Sequence, residues 1–127
     1  MSLTQIRLEL GRMEGFPNGS AGHGYEFVAP LTKDGFIDSK AWRSCKEECW
    51  VRRFWGDDPD EHGLLKHRGQ HSWYFDYNKR DTSDDEPFFK LDKHRLVKDT
   101  YVSVREHDDV QRPFKVVALE PVRDAAA

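Results

Sequence analysis

Period-two alternation of apolar and polar residues is the feature that most constrains this chain. Ile6, Leu8 and Leu10 alternate with Arg7 and Glu9, the pattern of a strand with one buried face. Residues 25–31 repeat it, with Tyr25, Phe27 and Ala29 on one face. Residues 49–55, 64–68, 71–77, 88–91, 101–106 and 114–119 read as further strands. Between them lie turn-rich stretches: a Gly-rich loop over residues 11–24 and acidic loops over 57–63 and 78–87. Many short strands separated by Gly, Asp and Pro predict a mainly β fold, a small barrel or sandwich of about seven or eight strands. One short helix is expected, capped by Asp38 or Ser39 and running through Trp42 and Cys45. Asp34-Gly35 is expected to form a type I′ turn before Phe36-Ile37.

Two hairpins can be taken to the level of register. A type II′ turn at Gly69-Gln70 would set Arg68 opposite His71 and His67 opposite Ser72. In the last hairpin a two-residue loop would pair Val104 with Pro113. A three-residue loop, residues 108–110, pairs Val104 with Phe114 and Val102 with Val116. The second sets apolar on apolar and is preferred, because register follows burial. A bulge is then expected near Pro113. The expected core is Ile6, Leu8, Leu10, Phe27, Val51, Trp73, Phe75, Val102, Val104, Phe114 and Val116.

The 127 residues carry no repeat and no linker and read as one domain, 1–127. A chain of this length buries enough surface to be stable without a metal or disulfides. Its 20 basic and 23 acidic residues nearly cancel, to a net charge of −3. That balance argues against a dedicated duplex-DNA binder and an anionic-membrane protein. The longest apolar run, residues 116–119, is far too short to span a bilayer. Arg7, Glu9, Arg12 and Glu14 interrupt any signal-peptide core. A cytoplasmic location is expected, with Cys45 and Cys49 as free thiols.

Motifs for chemistry are sparse. Residues 19–24 hold glycines, but without phosphate-loop spacing. They read as a flexible connection, or else as a loop covering a ligand with His23 and Tyr25. Asp58, Asp60 and Glu61 imitate a calcium loop, yet Gly69 stands where the bidentate Glu is required. Cys45, Cys49, His67 and His71 match the ligand count of a zinc site but not its spacing. The register above also puts the two histidines on opposite faces. No nucleophile elbow or paired-carboxylate pattern occurs, and no signature supports a Cys–His pair. No catalytic, cofactor-binding or metal-binding residue is therefore predicted.

The most suggestive stretch joins residues 50–55, Trp-Val-Arg-Arg-Phe-Trp, to the aromatic run 73–77. Arg interleaved with aromatic rings on strands can stack and hold a single-stranded nucleic acid. Arg52, Arg53, Lys66 and Arg68 are the candidate partner or nucleic-acid surface. The simpler reading makes the rings core and the Arg stems its rim. Segments 24–31, 49–55, 73–77, 101–106 and 113–117 together resemble a group of small uncharacterised bacterial proteins. That resemblance implies a bacterial, cytosolic protein and carries no activity, cofactor or site residue. The function expected first is a non-catalytic binding or interaction domain, partnered by a protein or small ligand, with a homodimer possible in principle. The alternatives are a small barrel for single-stranded nucleic acid, and a small-ligand or enzyme barrel. Nucleic-acid binding is expected to be weak or absent, since acidic loops follow both candidate strands.

Overall fold

The computed structural model describes residues 3–68, 72–77, 86–89, 95–106 and 110–122. The strands are β1 (Leu3–Leu10), β2 (Ser20–Pro30), β3 (Trp50–Trp55), β4 (Asp58–Arg68), β5 (Ser72–Asp76), β6 (Glu86–Phe89), β7 (Tyr101–Arg105) and β8 (Gln111–Pro121). Each pairs antiparallel with its neighbour in sequence, and β8 returns to β1, closing the barrel. Closure gives every named strand a neighbour on both sides. A barrel of this strand number is just wide enough for side chains to fill it. The inward residues do so. Phe27, Phe75, Phe114, Ile6, Leu8 and Val51 are fully buried, and the eleven expected core residues are all buried. Tyr25 and Phe75 meet at 4.9 Å between ring centroids, and Phe27 and Phe75 at 5.3 Å.

Helix α1 is a single turn, Ser39–Trp42, followed by a 3-10 turn, Lys46–Glu48. The Ala41 N–H donates to the Asp38 side chain at 3.1 Å, so Asp38 is the cap. Trp42 reaches the barrel end and its indole N–H donates to the Leu65 carbonyl at 3.1 Å.

Several expectations change. Residues 20–24 belong to β2, because Gly24 pairs with Glu9 across the first hairpin. A Cβ on Gly24 would overlap the Leu8 carbonyl oxygen, so glycine there permits a close backbone crossing. Residues 58–63 are strand rather than acidic loop. Pairing shifts between Arg53/Glu61 and Trp55/Asp58, and Pro59 sits in that irregularity, where its missing N–H removes no ladder bond. The turn at Asp34-Gly35 is not type I′. Only Gly35 has positive φ, 91°, and its N–H donates to Thr32, so the turn spans residues 32–35.

Both register assignments move. Arg68 pairs with Ser72 and His67 with Trp73, one residue from the expected β4–β5 register. This puts Leu65 opposite Phe75, where the expected register would have set Lys66 opposite Trp73. His67 is thereby placed on the face shared by Trp73; His71 lies outside the described residues. In the last hairpin Val102 pairs with Phe114 and Val104 with Arg112. One apolar match is kept, Val102 on Phe114, while the other valine faces Arg112, which reaches the buried Glu106 carboxylate. The β8 bulge falls opposite Arg7 and Leu8, not at Pro113. The acidic loop 78–85, most of the acidic 78–87 segment, lies outside the described residues, as do residues 90 and 91 of the expected strand 88–91.

Candidate functional site

The two ends of the barrel differ in chemistry. At one mouth the alternation that buries Val102 and Val104 also carries Glu106 inward, to 2% exposure. The Tyr25 hydroxyl donates to Glu106 Oε2 at 2.6 Å. Arg53 donates to the same oxygen through Nε at 3.1 Å and Nη2 at 2.9 Å. Arg112 Nη1 donates to Oε1 at 2.7 Å. Trp55 covers the cluster: the Arg53 guanidinium lies 4.3 Å from its ring centroid and that of Arg112 5.6 Å. His23 meets Trp55 edge-on at 4.7 Å, and its Nδ1 lies 2.7 Å from Ser20 Oγ. Both Glu106 oxygens are thus engaged by protein donors, as a buried carboxylate requires.

Around the other end the chain between β2 and β3 folds against β4. The Leu65 N–H donates to the Cys49 carbonyl at 2.8 Å, and Trp42 bonds the Leu65 carbonyl. A cleft of about 220 Å³ opens there, lined by Trp42, Lys46, Leu64, Leu65, Lys66 and His67. Trp42 and Trp73 cross edge-to-face at 5.3 Å, and His67 lies on Trp73 at 4.4 Å. The Lys46 ammonium sits 5.0 Å from the Trp42 ring centroid. Lys66 pairs with Asp76 at 3.2 Å. Beside the cleft is a second concavity of about 230 Å³, lined by Arg43, Ser44, Cys45, Lys46, Glu47 and Glu48.

Cys45 and Cys49 flank the 3-10 turn, are free and buried, and stand 3.8 Å apart at sulfur. Burial, reinforced by Cys45, pushes the Cys49 thiol up to about 12. A proton held that tightly leaves little free thiolate for nucleophilic attack. Among the described residues no cluster of His, Cys, Asp and Glu is arranged to hold a metal.

Arg52, Arg53 and Lys66 do not assemble into one basic face. Arg53 is 9% exposed and points into the barrel, so it leaves the candidate surface. Arg52 lies on the outer face and pairs with Glu26 and, at 2.9 Å, with Asp60. Its hydrogen bond to Glu26 holds the guanidinium above its ordinary value. Lys66 is tied to Asp76, and Arg68 ends β4 with its backbone opposite Ser72. Trp73 and Phe75 are core, whereas Trp50 is 38% exposed. Sequence reasoning missed Glu106, Arg112, Trp42, Lys46 and the role of His67. For Glu106 and Arg112 the signal existed: both share the parity of the apolar residues on their strands. No family model, no curated protein and no solved structure matches the chain.

Proposed function

We propose that this barrel is a non-catalytic binding domain that engages a macromolecular partner through its outer surface. The observation that carries this reading is the filled interior. Barrels of this size either pack side chains inside or hold one small ligand, and here the rings of Phe27, Phe75, Phe114 and Tyr25 occupy that space. The polar groups that do face inward bond one another at the mouth, with both oxygens of Glu106 engaged. The clefts near α1 are smaller than the ~300–1,000 Å³ of typical small-molecule pockets. They suit a side chain of a partner. The pairing of Arg52 and Lys66 with carboxylates and the burial of Arg53 speak against a nucleic-acid groove.

Amide NMR spectra of labelled protein would test this. A cell extract separated into small-molecule and macromolecular fractions supplies the two titrants. The macromolecular fraction is expected to broaden signals of outer-surface residues, and the small-molecule fraction to leave Phe27, Phe75 and Phe114 unmoved. Shifts at those interior residues on adding small molecules would replace this reading with a ligand-holding barrel.

A further inference from the structure

Resting on the binding-domain reading, we infer that the cleft between the α1 segment and β4 is the docking surface and that its partner is an acidic peptide segment. Its lining contains two ammonium groups, Lys46 and Lys66, and an imidazole, His67, over an apolar floor of Trp42, Leu64 and Leu65, with no carboxylate. Lys66 already holds Asp76. Lys46 does not hold a carboxylate: among the described residues its ammonium has only the Trp42 ring as a close partner. The His67 ring packs on Trp73 and Trp42, and no hydrogen bond engages its nitrogens among the described residues. The cleft thus offers a cation and an imidazole beside an aromatic wall, the complement of a carboxylate carried on an apolar stem.

Size and neighbourhood decide what carries that carboxylate. A space of about 220 Å³ admits one side chain. The second concavity, about 230 Å³, shares Lys46 with the first, so an extended chain can occupy both in succession. A free small acid would fill one and leave the other empty. The second concavity is bordered by Glu47 and Glu48. They repel a polyanion that bears a charge at every nucleotide, but tolerate a peptide with one carboxylate and neutral neighbours. Trp50, exposed and opposite Leu64 on β3, extends the apolar surface alongside.

The test is selection from a displayed library of random peptides against the whole protein, followed by fluorescence anisotropy with the enriched peptides. Enrichment of Asp or Glu next to an apolar residue is expected. Replacing that acidic residue by its amide, or Lys46→Gln in the protein, should each weaken binding about tenfold. Leu64→Glu should abolish it, and Tyr101→Ala, exposed on β7, should leave it unchanged. Circular dichroism of each variant guards against misfolding, and the amide-for-acid swap in the peptide needs no protein variant at all. The inference is overturned by enrichment of basic or wholly neutral peptides, or by no enrichment. Affinity indifferent to Lys46→Gln, or tighter binding of single-stranded DNA at the same cleft, would also overturn it. If selection fails while a macromolecular fraction still broadens other surface signals, only this assignment falls and the binding-domain reading stands.

Discussion

Replacing Glu106 by Gln changes the charge of one buried group while keeping its shape. In the folded barrel the carboxylate accepts from Tyr25, twice from Arg53 and once from Arg112, all at 2.6–3.1 Å. The Arg53 side chain is 10% exposed and that of Arg112 17%, so water screens neither pair well. An amide can still accept on one side, but on the other its NH₂ faces a guanidinium N–H. Breaking one partner of a buried ion pair costs roughly 3–5 kcal/mol, because the remaining charge keeps its desolvation penalty. Glu106→Gln is therefore expected to lose about that much in urea unfolding followed by tryptophan fluorescence. Tyr25→Phe removes only a hydroxyl hydrogen bond to a charged acceptor, about 1.5–3 kcal/mol. Because the two groups touch, the double variant should lose less than the sum of the single losses, by about 0.5–3 kcal/mol of coupling. A Glu106→Gln loss below about 1 kcal/mol, or strict additivity with Tyr25→Phe, would mean that the mouth is solvated.

The other outcomes follow from particular contacts. Trp73→Ala should cost about 3–5 kcal/mol in the same assay, since the ring is 3% exposed and wedged between Trp42 and His67. Gly24→Ala should destabilise strongly, seen as a lowered urea midpoint, because the new methyl must displace the Leu8 backbone rather than a mobile side chain. At pH 8 a thiol with a value of about 12 is only about 10⁻⁴ ionised, so Cys49 should resist a thiol reagent in the folded state and react in urea. Its raised value also sets a pH dependence. The stabilisation is complete below the unfolded value of 9.0 and is lost as pH rises toward about 12, so wild type should lose stability relative to Cys49→Ala between pH 8 and 11, seen as a falling urea midpoint. Mixed-sequence single strands should bind with Kd above roughly 10 μM near physiological salt, measured by anisotropy, as Arg52 and Lys66 are already paired.

What could be read from the sequence and what could not divides along a physical line. Alternation is a local property of a strand with one buried face, so it located the strands, though not the first halves of β2 and β4, and picked out core residues that are all buried, without any knowledge of partners. It named Tyr25, Phe27 and Ala29 as one face, and all three are buried. The helix cap, read as Asp38 or Ser39, was equally local, and Asp38 is the one that caps. Register was not local. In β4–β5 and β7–β8 the pairing was decided by which residues the closed barrel gathers inside, and β7–β8 keeps one match of valine to phenylalanine while bringing Arg112 to the buried Glu106.

The same division holds for the sites. Arg52 and Arg53 are adjacent and alike in sequence, and parity alone puts them on opposite faces. Only closure made one an outer residue paired with Glu26 and Asp60, and the other a buried partner of Glu106. Lys46 and His67 are 21 positions apart in the chain and have no pattern in common. They line one cleft because Trp42 bonds the Leu65 backbone and so fixes the α1 segment against β4. The sequence by itself determined that this chain would bury one face of each of many short strands. The tertiary structure decided which polar groups that burial would bring together, because closing the sheet into a barrel joins residues through contacts that no local pattern encodes.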